Sequence, residues 1–293
     1  MNIQQNYSLR AYNSFGVDVL ARYFARFEDT ESLEDLLSAV QQSPLHEQQK
    51  MILGGGSNIL LTKDFNGWVL KNEIKGIEEL HEDKEFVYVR VGAGENWHAF
   101  TQYCIENGWA GLENLSLIPG NVGAAPMQNI GAYGVELDDV FWNLEAYHLN
   151  DKAIHTFTLQ DCEFGYRESV FKKKYRNQFV ILNVTFKLHK HPVFHTSYGA
   201  ISQELEKMGV RELSIQSISQ AVINIRKSKL PDPAEIGNAG SFFKNPVIPG
   251  TLYDGLKILY PELVAFPLSG DQYKLAAGWL IESCGWKGYR KGN

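Results

Sequence analysis

At 293 residues, with 44% hydrophobic and 21% charged side chains, the chain is long enough for two or three packed domains and has the composition of an ordinary soluble globular protein. A formal net charge of -6 argues against a nonspecific nucleic-acid or membrane-surface binder, while leaving room for a local basic pocket that takes a small anion. Cys104, Cys162 and Cys284 stand far apart with no C-x-x-C, so neither a disulfide framework nor a metal site is expected, and the usage fits a reducing cytoplasm.

The opening "MNIQQNYSLRAYNSFG" lacks a basic segment followed by an apolar run, so no signal peptide is expected. No apolar stretch approaches the roughly 18 residues that span a bilayer. "DTESLEDLLSAVQQ" sets Leu33, Leu36, Leu37 and Val40 at helical spacing, with Asp29 or Thr30 as cap. "KMIL" reads as a short buried strand running into Gly54, Gly55 and Gly56, and "EFVYVRVGAG" as a strand with Val87, Val89 and Val91 alternating. "ENWHAFTQYCIENG" is a helix capped by Asn96 and stopped by Gly108. "FVILNVTFKL" alternates at Val180, Leu182, Val184, Phe186 and Leu188, the pattern of a half-buried strand. "SISQAVINIRKSKLPDP" carries Ile218, Ala221, Val222 and Ile225 on one helical face and ends at Pro231 and Pro233, the natural domain boundary; "LAAGWLIESCG" is a compact helix stopped by Gly285.

Two glycine-rich stretches interrupt this pattern. "LGGGSNILL" lies between apolar runs and reads as strand–loop–strand, and consecutive glycines can turn several main-chain N–H groups toward one anion. Ser57 and Asn58 add side-chain donors. "IPGNVGAAPMQNIGAYGVE", residues 118–136, packs four glycines and three alanines around Pro119, Pro126, Asn121 and Asn129, and looks like a longer version of the same device. Two such loops are expected to embrace a pyrophosphate from both sides. Each is, by itself, equally an ordinary surface turn. Neither is the G-x-G-x-x-G of a Rossmann fold, and no P-loop lysine motif is present.

Taken together, "YNSFGVD", "GGGSNILL", "GAGENWHAF", "GLENLSLIPGNVGAAPMQNIGAYGVE", "CEFGYRESVFK", "KLPDP", "GNAGSFFKNP" and "LAAGWLIESCGWKG" resemble, in family order and over nearly the whole chain, the UDP-N-acetylenolpyruvoylglucosamine reductase family of bacterial flavoenzymes. The resemblance implies an α+β architecture. A vanillyl-alcohol-oxidase-like (PCMH-type) FAD-binding fold of two subdomains, residues 1–70 and 71–228, would be followed by a smaller α+β substrate-binding domain, residues 229–293. It implies tightly bound FAD, NADPH as hydride donor, a UDP-sugar substrate, and a cytoplasmic monomer without nucleic-acid or membrane partners. On that likeness Gly54, Gly55, Gly56, Ser57 and Asn58 would hold the cofactor together with Pro119, Gly120, Gly123, Ala124, Ala125, Asn129, Gly131 and Arg226. Tyr133, Tyr198, Lys229 and Asn245 would contact the sugar nucleotide, with Tyr198 on a loop in "HTSYGAI".

The implied reaction reduces an enolpyruvyl ether: hydride goes from flavin N5 to the β-carbon, and negative charge develops on the α-carbon and its carboxylate. Such chemistry needs fixed positive charge at the carboxylate and a proton source at the α-carbon. Arg167 in "FGYRES" is the cation the resemblance implies, its planar fork suited to a carboxylate; out of context it would be a surface arginine paired with Glu168 or Glu163. Ser241 in "NAGSFFKNP" is the implied proton donor; no G-x-S-x-G surrounds it, so acyl-enzyme chemistry is disfavoured. The family pattern runs on past "WKG" and supplies a further glutamate, whereas this chain stops at Asn293, so an incomplete third domain with uncovered apolar surface is expected. Two alternatives stand beside the reductase: another FAD-dependent oxidoreductase of the same fold, and a flavin-binding module without catalysis.

Overall fold

The computed structural model describes residues 2–42 and 49–291, and the chain divides into two compact units between Ala239 and Gly240. The first unit runs β1 (Gln4–Ser8), β2 (Leu20–Phe27), α1 (Thr30–Gln42), β3 (Gln49–Leu53), β4 (Phe65–Asn72), β5 (Ile77–Glu82), β6 (Phe86–Gly92) and α2 (Trp97–Glu106). After α2 come a short hairpin, β7 (Gly131–Ala132) and β8 (Val135–Glu136), then β9 (Phe141–His148), β10 (Ala153–Thr158), β11 (Phe179–His189), α3 (Gly199–Lys207) and α4 (Ile215–Lys229).

Two sheets organise this unit. In the order β1-β2-β4-β3, both β2 and β3 run parallel to β4, which requires the α1 crossover; β1 lies antiparallel on β2. The second sheet, β10-β9-β11-β6-β5, is antiparallel throughout. The α1 helix begins where Asp29 Oδ1 accepts the Ser32 N–H at 2.7 Å, so Asp29 is its cap. Its Leu33, Leu36 and Val40 pack between the sheets, against Phe27, Trp68 and Leu70 of one and Tyr147, Val180 and Leu182 of the other.

Clean alternation along β11 does not hold. Ile181 lies opposite Ala146 and Asn183 opposite Glu145, leaving Leu182 as the extra residue of a bulge. Val180 and Leu182 therefore face α1, while Val184, Phe186 and Leu188 face the core under α2 with Trp97, Phe100 and Cys104. The bulge buries this strand on both sides. One main-chain group reaches across the sheet boundary, where Ile181 O accepts from Asn72 Nδ2 at 2.9 Å, while Leu182 O continues the pairing with the end of β6 by accepting the Ala93 N–H at 2.9 Å. Asn72 Oδ1 in turn accepts the Ile74 N–H at 3.1 Å. On the remaining flank α3 and α4 pack through Ile201, Leu205, Ile218, Ala221, Val222 and Ile225.

The second unit comprises β12 (Val247–Pro249), α5 (Gly250–Leu259), β13 (Ala265–Leu268), β14 (Gln272–Leu275) and α6 (Ala277–Ser283), with an antiparallel sheet in the order β12-β14-β13. Tyr253 stacks on Tyr273 at 3.8 Å, but the unit leaves Ile258 81% and Leu259 71% exposed.

Asn72→Leu removes the polar stitch between the sheets and strands two main-chain groups in a buried place. Urea unfolding is expected to show a loss of about 1–3 kcal/mol, whereas an unchanged midpoint would assign the sheet junction to apolar packing alone.

Candidate functional site

The two glycine-rich stretches meet. The turn after β3 is pinned from behind by Ser14, whose N–H donates to Gly56 O at 3.0 Å. Gly56 has φ 64°, and a Cβ there would lie 1.9 Å from Tyr12 O, so neither its conformation nor its space admits a side chain. In front of the turn, a Cβ on Gly55 would lie 2.7 Å from Gly120 Cα, so main chain touches main chain. Ser57 Oγ donates to Pro119 O at 3.0 Å, and Asn58 Nδ2 donates to Gln128 Oε1 at 3.1 Å.

Their donors are used differently. Among the described residues, the main-chain N–H groups of residues 55–58 have no protein acceptor, although Gly56 is buried. Buried unpaired N–H groups are rare, so this turn offers a ready anion cradle. The long loop is not a second copy of that device. Its Val122 and Gly123 N–H groups donate to Glu95 O and Ala93 O, each at 2.9 Å, and those of Ala124 and Ala125 close short helical turns at 3.0 Å. Asn121 Nδ2 donates to Gly94 O at 2.7 Å. These residues brace the first turn and fasten it to the end of β6. The strand–loop–strand expectation also changes: Ile59 and Leu61 pack as irregular chain, Leu60 is exposed, and the next strand starts at Phe65.

The long loop continues into a second cluster. Asn129 is fully buried with φ 43°; its Nδ2 donates to Glu136 Oε2 at 3.1 Å and its Oδ1 accepts the Asp138 N–H at 3.1 Å. Its side chain is therefore committed within the loop. Its carbonyl accepts from Arg167 Nη1 at 3.2 Å, and Gly131 O accepts from Arg167 Nη2. Arg167 sits at the tip of a tight turn in which Gly165 and Glu168 exchange N–H···O bonds of 3.0 and 3.1 Å, and its own φ is 57°. Glu168 pairs with Lys173. Two main-chain carbonyls thus hold the guanidinium.

Tyr133, with φ 51°, lies beside Arg226 and meets Tyr198 edge-on at 5.5 Å. Burial pushes the Tyr133 phenol up, and the neighbouring guanidinium partly offsets this; burial likewise lowers Arg226. Arg226 Nε donates to Leu117 O at 3.1 Å. The Leu117 N–H donates to His98 Nδ1 at 3.0 Å, and burial, then Lys227 and Arg226, lower the His98 imidazole, favouring the neutral ring that this bond requires.

The remaining expected residues lie as follows. Lys229 is exposed in the last turn of α4, and Tyr198 ends an irregular segment just before α3. Ser241 and Asn245 belong to the second unit; Ser241 is exposed, and Asn245 Oδ1 accepts the Ala277 N–H at 2.9 Å, capping α6. Two functional supports were missed in the sequence. Asn114, 1% exposed, donates from Nδ2 to Tyr133 O at 3.0 Å and to His195 O at 2.8 Å. Ser169, also buried, donates to Met127 O at 2.7 Å. The readable signal for Asn114 was a polar side chain set between Leu112 and Leu115 in "LENLSL".

Comparison with known proteins agrees with this geometry. A family model described as FAD binding domain matches residues 24–155, which contain both glycine-rich stretches, and one described as UDP-N-acetylenolpyruvoylglucosamine reductase, C-terminal domain, matches residues 232–293. The UDP-N-acetylenolpyruvoylglucosamine reductase of Amoebophilus asiaticus is 51% identical over 290 residues, covering 99% of this chain and 85% of that protein. That of Pseudomonas putida is 49% identical, covering 99% of this chain and 84% of that protein. Among solved structures, the UDP-N-acetylenolpyruvylglucosamine reductase of Thermus caldophilus superposes with a TM-score of 0.64 at 24% identity, covering 100% of this chain and 83% of that one, a likeness of fold. With half of its residues shared along almost its entire length, the chain belongs to the UDP-N-acetylenolpyruvoylglucosamine reductase family.

Proposed function

We propose that this protein reduces UDP-N-acetylenolpyruvoylglucosamine to UDP-N-acetylmuramate for peptidoglycan synthesis, using FAD and NADPH. The observation that carries the reading is the turn at residues 55–58: main-chain donors without protein acceptors, braced by a second loop, inside the segment that matches an FAD-binding domain. That donor set fits a pyrophosphate, which needs converging N–H groups and close approach of the main chain. Residues 55–58 would hold the diphosphate of FAD. Gly120, Gly123, Ala124 and Ala125 would keep that turn in place and leave space beside it, and Gly54, Pro119, Asn129, Gly131 and Arg226 would complete the wall. When bound, FAD supplies a carrier that accepts a hydride from NADPH and releases it to the enolpyruvyl β-carbon.

The chain's own residues do the rest. Arg167 binds the substrate carboxylate: carbonyl bonds fix its fork while other N–H donors remain for the anion, whose charge grows during reduction. Tyr133, Tyr198, Lys229 and Asn245 position the sugar nucleotide, the main chain of Tyr133 being held by Asn114. The Ser241 hydroxyl gives its proton to the α-carbon and, being exposed, recovers one from water. A carbanion stabilised only by its carboxylate is a strong base, so a weak acid in place is sufficient. Hydride and proton together saturate the double bond. In this reading residues 1–70 and 71–228 act as two FAD-binding subdomains and residues 229–293 as the substrate-binding domain. The enzyme works as a cytoplasmic monomer, without membrane or nucleic-acid partners, in keeping with its free cysteines Cys104, Cys162 and Cys284.

Stopped-flow separation of the half-reactions tests the roles. Arg167→Ala should bleach with NADPH at the parent rate but recover its flavin colour about 10²–10³-fold more slowly on adding the enolpyruvyl sugar nucleotide, a loss of about 3–4 kcal/mol. Equal slowing of both phases would make Arg167 a structural residue. Ser241→Ala should likewise retain reduction by NADPH and lose rapid recovery; a fast second phase would remove the serine from proton transfer.

A further inference from the structure

Away from the glycine-rich loops, the hairpin of β9 and β10 brings together two imidazoles and a carboxylate. Ala153 lies opposite His148 and His155 opposite Ala146, so the two histidines are diagonal neighbours on one face, with ring centroids 5.7 Å apart. The connecting turn closes with the Lys152 N–H on His148 O at 3.0 Å, Lys152 being left-handed at φ 54°, and this folds Asp151 back over His148. Asp151 Oδ2 lies 2.8 Å from His148 Nδ1. The same Nδ1 accepts the Asp151 N–H at 3.2 Å, so its lone pair is directed at the turn. Two electron-rich atoms that close need a proton or a metal ion between them. A single proton would suffice for that pair alone, but ligand atoms of His148, Asp151 and His155 all lie within 4.8 Å of one another. Phe179 packs against both rings, at 4.6 and 5.5 Å, and fixes their planes.

We propose that His148, Asp151 and His155 form a binding site for a divalent transition metal, Zn²⁺ by ligand class. Two neutral nitrogens and one carboxylate oxygen are a borderline donor set that suits Zn²⁺ and is poor for Mg²⁺. Three protein ligands leave the fourth tetrahedral position to water. With metal–ligand bonds near 2.0–2.1 Å, neighbouring donors sit about 3.3 Å apart, a spacing that small side-chain rotations reach from the observed arrangement. The site is open to solvent, the Asp151 side chain being 64% exposed. It ties β10, an edge strand, to β9, and β9 and β11 together separate β10 from β6, where the long glycine-rich loop is fastened. Its occupancy is therefore a clamp on the hairpin, independent of the flavin chemistry.

Isothermal titration of the FAD-loaded chain with ZnCl₂ in chelator-free buffer is expected to give one saturable site, and the same titration with MgCl₂ none. His155→Ala and Asp151→Asn, both at exposed positions and checked for parental circular dichroism, should each weaken Zn²⁺ binding at least about tenfold while leaving reduction by NADPH unchanged. Zinc should raise the parent's Tm and not that of His155→Ala. Absence of saturable binding, which would leave only a histidine–carboxylate pair, or variants that titrate like the parent, would overturn the proposal.

Discussion

A main-chain contact between Gly55 and Gly120 fixes how the two glycine-rich loops meet. Because no side chain fits between them, the turn after β3 presses on the long loop, and the two divide the work. The long loop spends its N–H groups on Ala93, Glu95 and its own short helical turns, which makes it rigid. The shorter turn spends none on protein at residues 55–58, which makes it receptive. A loop cannot brace and bind with the same donors, and here the two tasks fall to separate segments.

The long loop and the segments next to it carry the strain of the site. Leu117, Asn129, Tyr133 and Arg167 all have left-handed backbones, at φ 58°, 43°, 51° and 57°. Each such residue costs about 1–3 kcal/mol unless its surroundings dictate it. Buried polar groups supply that constraint: His98 holds Leu117, Asn114 holds the carbonyl of Tyr133, and Arg167 itself bonds the carbonyls of Asn129 and Gly131. The cation proposed to bind the substrate is thus also part of the scaffold of the loop that braces the turn proposed for the cofactor. Loss of Arg167 in a chain without cofactor would loosen that loop as well as remove a charge.

Much of this was legible in the sequence wherever a local rule decides structure. Asn96 caps α2 by accepting the Ala99 N–H at 2.9 Å, and Gly108 follows that helix with φ 75°. The α1 face, the strand at β6 and the helix leading to the proline turn read correctly because their periodicity is set by burial on one side. What was not legible depends on distant partners. The β11 bulge at Leu182 breaks the alternation to serve two cores, and β5, with the exposed sequence "IEELHE", has no periodic signal of its own. The unequal roles of the two glycine-rich loops could not be read from glycine content, since only the fold decides which N–H groups find acceptors. Asn114 and Ser169 look like loop residues in the sequence and prove to be buried anchors.

The central claim is that main-chain amides of residues 55–58, held by the long loop, grip the diphosphate of FAD. Calorimetric titration of flavin-free protein with FAD and with riboflavin, for the parent chain and Gly55→Val, tests it most directly. The account predicts tight FAD binding by the parent, much weaker riboflavin binding, and loss of the difference in the folded variant, whose valine would part the loops. Equal affinity for the two flavins, or undiminished FAD binding by folded Gly55→Val, would contradict it.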